Sequence, residues 1–254
     1  MIQLDINCDM AEGFSRGRQS EDLGIMKWIT SVNIACGLHA GDPHMIRRTI
    51  EAALTHDVRI GAHPGYPDVH GFGRRSMNLS ANEVYDLVLY QVSALSGMTR
   101  ALGGQLHHVK LHGALYNEAA ERPELAEAVV SAMADLDEEL ILYALSGSKL
   151  VEAGLEHGLQ VAEEVFADRA YLPNGRLAPR DLEGSVLISK EEQMEQTRQL
   201  VLHQRVCTVN GQHIALAADT LCVHQESYDV LPFLMELHRW AKQHGVSIRP
   251  ISPE

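Results

Sequence analysis

The stretch VNIACGLHAGDPHMIRRTIEAAL (residues 32–54) reads as one complete β/α unit. VNIAC is short, apolar and partly β-branched, as a strand buried on both faces requires. Gly37 and Gly41 mark a loop. Asp42 followed by Pro43 is a helix start, because Asp caps free N–H groups and proline fits the first helical position. Ile46, Ile50, Ala53 and Leu54 then recur on one helical face. Asp42 therefore has a capping role and His44 falls inside the helix. His39 is left as the chemistry-bearing residue where the strand ends.

The same unit recurs along the chain. IQLDIN (2–7), VRIGAH (58–63), HVKLH (108–112), LILYAL (140–145), LQVAEEVF (159–166) and TLCVH (220–224) read as further strands. Between them, Ser80 and Glu83 form a capping box opening a helix that stops at Gly103-Gly104. Leu125, Ala128, Val129 and Ala132 mark another helix, and Ser148 begins one that ends at Gly158. Residues 190–204 are amphipathic with acidic residues in the first turn, and a last helix runs from about Tyr228 to His244. About seven such alternations predict parallel strands with helical crossovers. Asn210-Gly211 between two β-like runs predicts an inserted β-hairpin. The expected fold is an α/β, irregular parallel (β/α)7-type barrel, one domain over residues 1–254. An open doubly wound sheet is the alternative, without a GxGxxG after the first strand to support it.

Composition narrows the partners. The 254 residues carry a formal charge of -13, which disfavours nucleic acid and anionic membranes. Cys8, Cys36, Cys207 and Cys222 form no CxxC pair and suit a reducing compartment. No basic, apolar leader and no run of about 18 apolar residues is present, so a cytoplasmic protein is expected.

Polar residues fall at the C-terminal ends of the strands, which in a parallel barrel share one mouth, where active sites are built. The first strand contributes Asp5, Asn7, Asp9 and Glu12, the second His39, and the third His63 followed by GFGRR with Arg74 and Arg75. Lys110 and His112 end the fourth, Glu163, Glu164, Asp168 and Arg169 the sixth, and His224 and Glu226 the last. Alternation puts Asp5, Asn7 and Asp9 on one side of their strand, facing inward. Carboxylates there serve as a general base, a cation ligand or a structural ion pair with Lys110 or Arg169. Lys110 can neutralise a developing anion. The arginines suit a carboxylate or phosphate. ADRAYLPNGRLAPR (167–180) reads as an arginine-bearing lid. His39, His63, His112 and His224 with Asp5 or Asp9 have the chemistry of a divalent-metal site, but no HxH or HExxH pair compels one. No GxSxG elbow and no GxxxxGK[ST] phosphate loop occurs.

DINCDMAEGF, VNIACGLHAGDP, IGAHPGYPDVHGFGRR, VKLHGALYN, EVFADRAY and LCVH, in this order over about residues 2–250, resemble the LamB/YcsF family. The resemblance implies a glycoside hydrolase/deacetylase-like barrel. It also implies the work of the A component of a bacterial ATP-dependent 5-oxoprolinase. In that enzyme three components, A, B and C, open 5-oxoproline to L-glutamate with hydrolysis of ATP to ADP and phosphate. Asp5, Asn7, Asp9, Glu12, His39, Asp42, His63, Lys110, His112, Glu163, Asp168, Arg169 and His224 match the family's motifs. On this basis Asp9 or Asp5 is the base for water, and Lys110 and His112 stabilise developing charge. Substrate binding falls to Asn7, Glu12, His39, His63, Arg74, Arg75, Glu163, Asp168, Arg169 and His224. ATP, lacking a phosphate loop here, is expected mainly on the partner subunits B and C. The chain departs from the family at Leu111, usually proline, and at Gln225-Glu226, usually Gly-Asp, which alters the loop beside His224. The rival readings are a stand-alone metal-dependent deacetylase or carbohydrate-amide hydrolase, and a non-catalytic substrate-binding subunit.

Overall fold

Strands β1 (Ile2–Met10), β2 (Ser31–Ala35), β3 (Arg59–His63), β4 (Leu106–Lys110), β5 (Ile141–Leu145) and β6 (Val161–Phe166) pair side by side, all parallel. The structure is a computed structural model describing residues 2–13, 24–224 and 230–252. The antiparallel hairpin of β7 (Arg205–Cys207) and β8 (His213–Ala215) follows, turning at Asn210-Gly211 as expected. Strand β9 (Thr220–Val223) pairs with both β6 and β1 and so closes a seven-stranded parallel barrel. A short β10 (Val246–Ile248), not anticipated, pairs with Ile2–Leu4 at the start of β1. The Gln225-Glu226 departure, and the expected start of the last helix at Tyr228, lie outside the described residues.

Helices α1 (Pro43–Thr55), α2 (Ala81–Ala101), α3 (Gly113–Ala119), α4 (Pro123–Leu136), α5 (Lys149–Glu156), α6 (Lys190–His203) and α7 (Val230–Gln243) accompany the strands. The starts of α1, α2, α5 and α6 carry side-chain caps. The Asp42 carboxylate accepts from the N–H groups of His44 and Met45, and Ser80 and Glu83 form the reciprocal box. Ser189 and Glu192 form a second box at α6. Each cap is worth about 1 kcal/mol. Among the described residues no helix is long and apolar enough to cross a membrane.

The central barrel strands divide their side chains between two buried surfaces. On β1, Leu4, Ile6 and Cys8 join the apolar core, while Asp5, Asn7 and Asp9 belong to a polar network in the barrel interior, all buried. At the other end of the strands the interior is apolar, with Ile141, Tyr143 and Ala162 packed against Ile251 of the C-terminal tail. Gln3, His107 and Gln160 donate to the carbonyls of Pro250, Ile251 and Ser252 and hold that tail.

Gly61 shows how tightly the interior is filled. The His108 ring lies against it and stacks on Tyr143 with centroids 4.1 Å apart. A Cβ at position 61 would sit 2.0 Å from His108 Nε2. Gly61→Ala is expected to lower the unfolding free energy by about 1–3 kcal/mol in urea titrations. His108→Ala in the same chain should recover part of that loss, so the two effects will not add.

Candidate active site

A cavity of about 570 Å³ opens at the C-terminal ends of the strands. Asp9, Glu12, His63, Lys110, His112 and His224 line it, with Tyr116 and Phe166 beside them and Arg74, Arg169, Arg176 and Arg180 on its wall.

Lys110 is the hub. Its Nζ lies 2.8 Å from Asp9 Oδ1, 2.9 Å from Glu164 Oε1, 3.2 Å from Asn7 Oδ1 and 3.0 Å from Cys222 Sγ. Burial alone would lower its pKa, but Asp9 and Glu164 outweigh this and hold it well above the usual lysine value. The network extends outward. Glu164 accepts from Asn7 Nδ2 at 2.9 Å and from the Tyr116 hydroxyl at 2.7 Å. Asn33 donates to Asn7 and to Asp9 Oδ1.

These contacts leave the Asp9 oxygens unequal. Oδ1 is taken by Lys110 and Asn33. Oδ2 faces His63 Nε2 at 3.3 Å and His224 Nε2 at 3.8 Å. Burial works to raise this carboxyl, but the charges of His63 and Lys110 prevail and it stays well below the ordinary value. His63 shifts the other way. Burial pulls it down, and Asp9 opposite more than compensates. His224 Nδ1 lies 2.9 Å from both oxygens of Asp168. That carboxylate accepts the Nδ1 proton and turns Nε2 toward Asp9, an arrangement suited to proton transfer.

Asp9, Glu12, His63, Lys110, His112, Arg74, Arg169 and His224 thus meet around one cavity, and Asp168 supports them from behind. Asp5 lies deeper in the barrel. Its carboxylate accepts from the hydroxyls of Thr30, Ser31 and Thr220 and does not line the cavity, and burial raises its pKa. Asn7 acts through Lys110 and Glu164. His39 is buried behind His112, its ring stacked at 3.8 Å, and donates from Nε2 to Glu12 at 3.2 Å. Burial takes His39 down to about 4, so it is neutral.

Two expected residues point elsewhere. Glu163 lies on the other side of β6, where its carboxylate accepts from Ser146 Oγ and Gly147 N–H. Glu164 takes the inward place, because it is in register with Thr220, itself in register with Asp5, on the inward-facing rows. Arg75 is spent on Asp68, is two-thirds exposed and does not line the cavity. Its neighbour Arg74 does line it and lies over the Phe72 ring. The expected lid is a bonded wall. Arg169 donates to Ala178 O at 2.6 Å, and Tyr171 bridges to Leu177 and Thr208. Burial lowers Arg169 to about 10. Tyr116 is a site residue that the sequence pattern did not single out, while Glu164 was named only as a polar strand-end residue and Arg176 and Arg180 only as part of the expected lid.

Two groups of ligand-type side chains occur among the described residues, each with its donor atoms within 4.8 Å of one another: Glu12, His39, His63 and His112, and Asp9, Cys222 and His224. Cys222 is the weaker donor, because burial holds its thiol protonated.

A closed parallel barrel with carboxylates and histidines at the C-terminal mouth of its strands defines an α/β-barrel protein equipped for acid–base chemistry on a small molecule. The LamB/YcsF family model matches residues 4–254, and the chain belongs to that family. It is 48% identical over 249 residues to the A component of 5-oxoprolinase from Tolumonas auensis, covering 98% of this chain and 99% of that one. It is 44% identical to the corresponding 5-oxoprolinase component of Bacillus cereus, covering 98% of each. The crystal structure of a lactam utilization protein from Thermus thermophilus superposes with a TM-score of 0.89 at 40% identity, covering 98% of this chain and all of that one.

Lys110→Met strands two buried carboxylates and should cost about 3–5 kcal/mol of stability near pH 8. In the wild type the lowered Asp9 adds stability above the unfolded value near 3.8, lost as pH falls through the folded one. Without the lysine the folded carboxylates bind protons more readily than the unfolded chain. The deficit should therefore shrink from pH 8 to pH 5, as read by urea unfolding at both. A deficit that grows on acidification contradicts this account.

Proposed function

We propose that the chain is the ring-opening component of an ATP-dependent 5-oxoprolinase, converting 5-oxoproline to L-glutamate together with partner subunits B and C. The observation that carries the reading is the divided Asp9 carboxylate, one oxygen held by Lys110 and Asn33 and the other turned to His63 and His224. The names of the relatives and the lactam named for the Thermus protein support it.

A lactam carbonyl is a poor electrophile, and ATP overcomes this by transferring its γ-phosphoryl group to the amide oxygen, releasing ADP. Water then adds to the activated ring carbon and yields a proton to Asp9 Oδ2. The carbon–nitrogen bond breaks as the nitrogen takes a proton, which His224 Nε2 relays from Asp9 Oδ2 with Asp168 behind it. A second water hydrolyses the resulting acyl phosphate to glutamate and phosphate. Arg74 and Arg169 hold the substrate carboxylate or the phosphoryl group, for which a guanidinium fork is suited. The chain carries no phosphate loop, so the phosphoryl transfer belongs to the partners.

Purified alone, the chain should release neither glutamate nor phosphate from 5-oxoproline and ATP, and should do both once the partners are added. Robust lactam-dependent ATP hydrolysis by the chain alone would sink the division of labour. Glutamate formation without ATP or partners would favour a stand-alone amide hydrolase. In the reconstituted enzyme His224→Gln should lower kcat about 10²–10⁴-fold. Asp5→Asn, one layer deeper, should stay within a few-fold of wild type.

A further inference from the structure

We infer that Glu12, His63 and His112 form a binding site for one divalent transition-metal ion, with Asp9 Oδ2 on its flank. The inference rests on where the ring protons must be. His63 Nδ1 lies 2.8 Å from the backbone carbonyl of Lys110. A carbonyl oxygen only accepts, so Nδ1 carries a proton and the neutral ring presents a lone pair at Nε2. His112 Nε2 lies 2.8 Å from the carbonyl of Phe72, so the same logic leaves its lone pair on Nδ1. These two lone-pair nitrogens face each other across 3.0 Å.

Carboxylate oxygens converge on the same point. Glu12 Oε1 lies 3.0 Å from His112 Nδ1 and 3.6 Å from His63 Nε2, and Asp9 Oδ2 lies 3.3 Å from His63 Nε2. Apart from a ring proton, nothing among the described residues lies between these four electron-rich atoms. Lys110 does not serve them, because its bond to Asp9 goes to the other oxygen. A single proton would satisfy one pair and leave the others in repulsion. A cation with several open coordination positions satisfies all of them. Bonds of roughly 2.0–2.2 Å, usual for such ligands on zinc, place tetrahedral donor atoms roughly 3.3 Å apart, in the range observed. Two imidazoles and carboxylate oxygen suit zinc, cobalt, manganese or iron(II) better than calcium.

The surroundings are those of a built site. A metal-ligating histidine commonly donates its other N–H to a backbone carbonyl, and both rings here do so. His39 stacks on His112 at an interplanar angle of 4°, so its lone pair runs parallel to that of His112 rather than toward it. Its Nε2–H donates to Glu12 and positions that carboxylate, leaving Nδ1 buried without a partner. Phe72, whose carbonyl fixes His112, holds a φ of +55°, in the left-handed region unfavourable to an aromatic residue.

The test is metal binding itself, read without any activity assay. The full chain is treated with chelator, exchanged into metal-free buffer and titrated with Zn²⁺ by calorimetry and with Co²⁺ by visible absorption. One equivalent should bind, with cobalt d–d bands and a raised thermal unfolding midpoint. Glu12→Gln and His112→Gln should each weaken binding by at least about 100-fold, more than the loss of a supporting partner would. His56→Gln, on the surface, should leave it unchanged. Less than about 0.1 equivalent on the wild type, or the same affinity in both site variants, overturns the inference. Should a variant fail to fold, the wild-type cobalt spectrum decides, and absence of d–d bands is again contrary. Failure here leaves the lactam chemistry standing, because that is read from glutamate production.

Discussion

A buried ammonium among buried carboxylates organises this protein. Lys110 is held by Asp9, Glu164 and Asn7 inside a closed ring of strands, almost wholly buried at the floor of the cavity. Burying either sign alone costs several kcal/mol per charge, so none of these residues is tolerable without the others. The constraint acts on the strands as well. Inward positions on β1, β4, β6 and β9 must stay in register for the charges to meet, and a slip of one residue would turn them into the apolar layer under the helices.

This ties fold to chemistry. A parallel barrel whose interior is filled by branched apolar side chains has its core and its active site at different levels. Here the interior hydrogen bonds run from Thr30, Ser31 and Thr220 at the level of Asp5, through Asn7 and Asn33, to Asp9 at the floor of the cavity. Asp9 arrives there with its carboxyl held low, one oxygen committed to Lys110 and Asn33 and one turned to His63 and His224. That is the preorganisation a base acting on water needs, reached without reorganisation at the moment of reaction.

Much of this was legible in the residues. Strand ends, Asp42-Pro43, the Ser80–Glu83 box and the Asn210-Gly211 hairpin are local signals, and the structure follows them. The inward set Asp5, Asn7 and Asp9 followed from alternation alone. Depth did not: nothing local tells Asp5 from Asp9, because the difference is how far along the barrel each lies. Glu163 and Glu164 are adjacent in VAEEVF, and only the register of β6 against β9 selects the second. Arg74 and Arg75 part in the same way, since Asp68, seven residues before Arg75, draws one of them from the cavity. The histidines were visible as candidates, but their tautomers depend on the carbonyls of Lys110 and Phe72, which are contacts of the folded chain. Strand β10 escaped notice because three residues after a helix stop carry too little pattern to reveal a partner 244 positions away.

The central claim is that ATP is spent on the partner subunits while Asp9 opens the ring on this chain. Asp9→Asn in the reconstituted enzyme tests it most directly, with glutamate and phosphate measured in the same reaction. The account predicts that the stalled phospholactam loses its phosphoryl group to water and returns 5-oxoproline, so lactam-dependent phosphate release continues while glutamate formation falls by about 10²-fold or more and the two activities uncouple. Glutamate formation at the wild-type ratio to phosphate, at whatever overall rate, would contradict it.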